Sequence, residues 1–258
     1  MSGGYVPRWL VVPACAGLVF LLLPLVALVA RVQWETLWAD VTSPAALSAL
    51  GLSLQTGLAA TALCVAAGVP LALLIARSSR RTAAVLRAVV TVPLVLPPMV
   101  GGVALLYLFG RTGWLGGLGL PFTTTAVVLA QAFVALPFLV LAAEGALRTA
   151  GVEFERTAAA LGAGRWTILR RVTLPLAAPG IVAGVVLCFA RAVGEFGATA
   201  LFAGNAPGVT QTMPLAIYTA FNGAGVSQGT AVALSLLLLV TAIAVLLLVR
   251  GWRPGAAR

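Results

Sequence analysis

Long intervals without an ionisable side chain constrain this chain more than any other feature. Arg8 and Arg31 enclose one, Asp40 and Arg77 a second, Arg87 and Arg111 a third, Arg111 and Glu144 a fourth, Arg171 and Arg191 a fifth, and Glu195 and Arg250 the last. A helix rises about 1.5 Å per residue, so about 20 apolar residues cross a hydrocarbon core about 30 Å thick. The expected spans are therefore about 9–30, 52–76, 88–110, 122–143, 172–190 and 231–249. The last interval is long enough for two crossings. Gly, Pro, Asn, Thr and Gln break its first half, Ala203 to Gly229, which reads as a loop before a single span. With 61% hydrophobic and 9% charged residues, the chain has too few charges to cover a soluble surface, where about 25% is usual. The expectation is an all-α membrane protein of six transmembrane helices, a single transmembrane domain over 1–258.

The distribution of Arg sets the orientation. All 16 basic residues are Arg. With the N-terminus in the cytoplasm, 13 of them fall on cytoplasmic segments, and only Arg31, Arg111 and Arg191 lie outside or near the outer boundary. That is the positive-inside bias, and it places both termini in the cytoplasm. Trp9, Trp34, Trp38, Trp114 and Trp252 fall near proposed span ends, where an indole sits at the membrane interface. The net charge of +10 does not indicate nucleic acid, because no basic groove with interleaved aromatics accompanies it. The first apolar run has 22 residues, longer than the 7–15 of a signal-peptide core, so the first helix is expected to stay uncleaved.

Missing residue types narrow the function. Without Lys there is no phosphate-binding G-x-x-x-x-G-K-[ST] loop, so the chain is expected to hydrolyse no ATP by itself and is not read as an enzyme. Without His, bis-His haem ligation and the common zinc sites are excluded. No cofactor or metal is expected. Cys15, Cys64 and Cys188 lie far apart within apolar runs and read as small packing residues. The spans hold almost no ionisable groups, which argues against proton or sodium coupling. Energy for transport would have to come from a partner.

The segment 144–171 could receive it. Glu153 to Leu161 lacks Pro and Gly and is rich in Ala and Glu, which favours a short helix ended by Gly162 and Gly164. A second amphipathic stretch follows, with Arg165, Arg170 and Arg171 around Trp166, Ile168 and Leu169. The residues alone leave two readings open: a peg for a groove on another protein, or a solvated loop whose Arg residues set topology.

This loop resembles the EAA signature of ABC importer permeases, E-A-A-x-x-x-G-x(9)-I-x-L-P. Gly162 is followed by nine residues and then Val172, Thr173, Leu174 and Pro175, with Val in place of Ile. The first half departs, because Arg156, Thr157 and Ala158 occupy the E-A-A positions and the nearest acid, Glu155, stands one residue early. The resemblance implies a coupling helix docked in a cleft of a cytoplasmic ATPase subunit. Its contact would involve Glu155, Arg156, Ala158, Leu161, Gly162, Ala163, Trp166, Leu174 and Pro175. A second stretch, ARAVGEFGATALFAGNAPGVTQTMPLAIYTA from Ala190 to Ala220, resembles permeases of the molybdate importer group. Sulfate and thiosulfate permeases share its ARAxGE-[FY]-G portion but are less alike beyond it. The resemblance runs from about Ser53 to Val249 and includes LVLPPMVGG from Leu94.

The resemblance implies the type I ABC importer permease (MetI-like) architecture in the inner (plasma) membrane of a prokaryote. Two copies would form the pathway, with two ATPase subunits and an extracytoplasmic oxyanion-binding protein as partners. Molybdate is the expected substrate, and sulfate, thiosulfate or tungstate the nearest alternatives. Rivals from other classes are an ion-coupled secondary transporter and a membrane scaffold for an oxidoreductase. Arg191 and Glu195, four apart, share one helix face and can pair; either could instead help form an outer gate. Gly194 and Gly197 would permit close helix approach. Thr199, Asn205, Thr210, Gln211 and Thr212 are candidate weak ligands for an oxyanion, or simply solvate an outer loop. Pro93, Pro97 and Pro98 interrupt the third span, which should therefore pack inside the bundle.

Overall fold

The computed structural model describes residues 8–223 and 228–251. Every regular element among them is helical. In chain order they are α1 (Val11–Ala30), α2 (Trp34–Val41), α3 (Pro44–Arg77), α4 (Arg80–Val95), α5 (Pro98–Phe109), α6 (Thr124–Ala150), α7 (Glu153–Ala160), α8 (Arg165–Ile168), α9 (Leu174–Val193), α10 (Gly197–Phe202), α11 (Met213–Asn222) and α12 (Gln228–Gly251). A π turn, Leu169–Thr173, joins α8 to α9, and the three run on as one helix from Arg165 to Val193. Among the described residues, five helices are long and apolar enough to cross a membrane, and a sixth crossing exists if α4 and α5 together make one span.

The core is a trio of α3, α6 and α9. Lipid tails are as apolar as the helices, so association in a bilayer depends on close packing rather than on expelling water. The sequence supplies small residues for it. On α3, Ala46, Ala49, Ser53, Gly57, Ala60, Cys64, Gly68 and Ala72 recur at three- and four-residue spacing and are all buried. A Cβ at Gly57 would come within 2.6 Å of Val193, and one at Gly180 within 2.4 Å of the Ala146 methyl, so the backbones approach as only glycine allows. Cys64 and Cys188 meet in the same buried cluster, a juxtaposition across three helices that their spacing in sequence does not announce. By contrast, α1 has no buried residue, and its Leu, Val and Phe side chains face outward all round.

Charge-free intervals and helix boundaries do not coincide. The α3 helix starts at Pro44, where Ser43 caps it by accepting the Ala46 N–H at 3.2 Å and Pro44 takes the first-turn position. The α6 helix continues past Glu144 to Ala150. The stretch 88–110 is not one rod: α4 and α5 are bent by 107° at the Val95–Pro98 break. Leu96 precedes Pro97, is forced extended and cannot continue the helix. The loop expected from Ala203 to Gly229 contains the helix α11, whose Met213, Leu215 and Ala220 are buried. Trp252, Arg253 and Arg258 lie outside the described residues.

Candidate functional site

Two regions carry the candidate residues. The first is α7 and its surroundings. Glu153 and Glu155 in the first turn complement the helix dipole. The helix ends at Gly162, φ 84°, whose N–H donates to Ala159 O at 3.0 Å while Ala163 N–H donates to Ala158 O at 3.0 Å. This is a Schellman stop, and its left-handed residue is the reason for glycine there. The stop turns the chain so that large apolar side chains point away from the bundle: Phe154 is 63% exposed, Leu161 84% and Trp166 70%. Arg156, Arg165, Arg170 and Arg171 are exposed among them. Between α7 and the base of α9 lies an open groove of about 410 Å³, lined in part by Phe154, Ala158, Leu161, Val172 and Pro175. Ala158, Ala163 and Leu174 are half-buried behind this face, and Pro175 is exposed.

Glu155 behaves differently from its neighbours. Its Oε1 accepts the Thr173 hydroxyl at 2.8 Å and pairs with the Arg77 guanidinium at the end of α3. Arg156, at the signature's Glu position, faces outward and lies 3.9 Å from Glu153. A second carboxylate, Glu144 on α6, is buried and held by Arg87 of α4 at 2.5 Å and Arg148 at 2.7 Å. Nothing in the sequence pattern marks the Arg77–Glu155 or Arg87–Glu144 pairings, which join residues 78 and 57 positions apart.

The second region runs from the end of α9 through α11. Glu195 is 1% exposed; its Oε2 lies 2.6 Å from Arg191 Nη2, and its Oε1 accepts the Ala198 N–H at 2.8 Å, capping the start of α10. The pairing expected from the i,i+4 spacing is therefore present, although α9 stops at Val193, short of Glu195. At Gly197 a Cβ would come within 3.1 Å of Met99 N and Pro98 Cβ, so α10 sits directly against the start of α5. Three candidates serve the loop itself. Asn205 Nδ2 donates to Thr219 Oγ1 at 2.8 Å, Gln211 Nε2 donates to Asn205 Oδ1 at 3.0 Å, and Thr210 Oγ1 accepts the Ala206 N–H at 2.8 Å. Thr199 and Thr212 differ, because both hydroxyls are buried without a hydrogen-bond partner among the described residues. Sequence reasoning missed Gln131 in α6, which is fully buried with both amide atoms unpartnered among the described residues. It follows Ala130, which packs towards α10, and precedes Ala132, which packs towards α3 and α9. One amide in an otherwise apolar run was the only available signal.

Residues 68–254 match the family described as binding-protein-dependent transport system inner membrane component. The molybdenum transport system permease protein ModB of Mycobacterium tuberculosis is 53% identical over 93% of this chain and 92% of its own length. The Escherichia coli protein of the same name is 41% identical over 70% of this chain and 82% of its own length. Among solved structures, a chain of a bacterial ABC transporter involved in the import of the acidic polysaccharide alginate superposes with a TM-score of 0.67 at 17% identity, covering 97% of this chain and 96% of that one. A chain of the MetNI methionine ABC transporter, in an inward-facing conformation, gives 0.63 at 20% identity, covering 80% and 94%. The fold is thus that of ABC importer permeases, and this chain belongs to the family of binding-protein-dependent transport system inner membrane components.

Proposed function

We propose that this chain is the membrane-spanning permease of an ATP-driven importer for molybdate. Two copies would line the pathway, with both termini in the cytoplasm. The observation that carries the transport reading is the α7 face. Phe154, Leu161 and Trp166 stand exposed beside four Arg on α7 and on the Arg-rich start of the helix that continues into α9, a composition that water alone does not favour and a partner protein would cover. Arg is also among the residues enriched at protein interfaces. Two ATPase subunits docked on these faces would supply the energy, and a soluble binding protein would deliver the oxyanion from outside. The names of the relatives support molybdate over sulfate. Nucleotide would bias the pair of permeases between outward- and inward-facing states, by no more than its difference in affinity for the two.

The test is uptake of labelled molybdate into proteoliposomes holding the complete complex with its binding protein. Gly162→Arg adds a side chain at a left-handed position on the docking face, where the space itself is open. Uptake is expected to require ATP, to collapse in this variant, and to be inhibited by tungstate but not sulfate. ATP-independent uptake would overturn the importer mechanism, and competition by sulfate would overturn the substrate.

A further inference from the structure

We infer that Glu155 is a positioning residue that ties the docking helix to the two long helices of the core. Four observations lead there. Successive helical residues are about 100° apart. Moving the acid of the signature one place towards the N-terminus, from position 156 to 155, therefore carries it from the outward face to the inward one. The exposures follow suit, with Arg156 outside and Glu155 largely covered. One oxygen, Oε1, then receives both the Arg77 guanidinium and the Thr173 hydroxyl. Arg77 is the last residue of the 34-residue α3, and Thr173 is the buried last residue of the π turn from which α9 continues to Val193. At the far end of α9 the same two helices meet again, where Gly57, near the middle of α3, lies under Val193 and Phe189.

A displacement of α7 by a docked partner would thus reach both core helices through one carboxylate. Glu155 is turned away from the docking face, so its loss should leave attachment of the partner intact while weakening transmission. This separates it from Leu161 and Trp166, which stand on the face itself. The inference rests on the docking role proposed above for α7.

The experiment uses the complete complex in proteoliposomes and reads molybdate taken up per ATP hydrolysed. For Glu155→Ala and Arg77→Ala the ratio is expected to fall roughly fivefold, the scale of a charge-assisted contact of this exposure, while ATPase subunits still co-purify. Glu155→Gln, which can still accept the Thr173 hydroxyl, should lose less. The exchanged pair Arg77→Glu with Glu155→Arg should recover most of the ratio. An unchanged ratio in Glu155→Ala, or a ratio that falls together with co-purification, would overturn the inference. A readout independent of transport is the distance between spin labels at Ser79 and Ala160, in permease carrying Cys15→Ser. Narrow in the parent and broad in Glu155→Ala, it supports the tie; equal widths refute it. If the parent complex itself takes up no molybdate, the importer reading fails, and the label distances still decide the role of Glu155.

Discussion

The α7 end and the α9–α11 segment handle polarity in opposite ways. Around α7, apolar side chains face out and a carboxylate faces in. In the α9–α11 segment the polar groups are turned inward, and some find partners while others do not. The apolar surface at α7 fits the partner contact proposed above, because exposing it to water costs free energy that a partner would recover. The buried polarity there is satisfied by internal bonds at Glu195, while the Thr199 and Thr212 hydroxyls have no partner among the described residues. The first region leaves apolar surface open, and the second turns its polar groups towards itself.

The largest expected effect sharpens the second half of that contrast. Glu195→Ala strands a largely covered Arg191 and removes the α10 cap, and should lower unfolding stability in detergent by about 3 kcal/mol. A double variant that also removes the Arg191 guanidinium should lose less than the sum of the two single losses. Strictly additive losses would show that the pair acts as two independent groups. Next in size, Leu161→Ala combined with Trp166→Ala should weaken ATPase association by about 2 kcal/mol, roughly 30-fold, because large side chains at the centre of an interface dominate binding. The isolated permease should unfold at its usual midpoint, since neither side chain is buried. A drop in that midpoint would break the comparison by making α7 part of the core. The smallest effect has the opposite sign. Gln131→Leu removes an amide buried without partners among the described residues and should raise stability by about 1 kcal/mol. A loss of stability on the same scale would mean that this amide is bonded after all.

Much of the helical content was legible because charge is so rare here. Arg31 and Arg77 mark where apolar runs end, and the long helices α1 and α3 end at them. Their boundaries were less legible, because a charge marks the edge of the membrane and not the end of a helix. Glu144 and Arg148 stay within α6, where they pair with each other at i,i+4, and Glu144 also pairs with Arg87. The bend at Pro97–Pro98 was visible as a proline signal, whereas its 107° angle depends on what α5 packs against: Gly102, for instance, lies so close to α10 that a Cβ would be 2.8 Å from Ala198 O. In the candidate site, the spacing from Gly162 to Pro175 led to α7 and its stop, because local chemistry decides both. The inward turn of Glu155 was not legible, since its partners are remote in sequence. The likeness of the 203–220 stretch to its relatives drew attention to Asn205 and Gln211, which tie the loop together, and away from Gln131, which belongs to no motif.

One dimension of α3 has a mechanical consequence. At about 1.5 Å per residue its 34 residues make a rod about 51 Å long, against a hydrocarbon core of about 30 Å. Gly57 and Gly68 give it its closest approaches to α9 and α6, and a rod pivoting on those contacts would work as a lever whose fulcrum lies within the bilayer. A swing of a few degrees there becomes a displacement of ångströms at Arg77. The small residues that seat the fulcrum, Gly57 and Gly68 among them, would then set the stiffness of the stroke, and larger side chains at those positions would shorten its travel before they unfolded the protein.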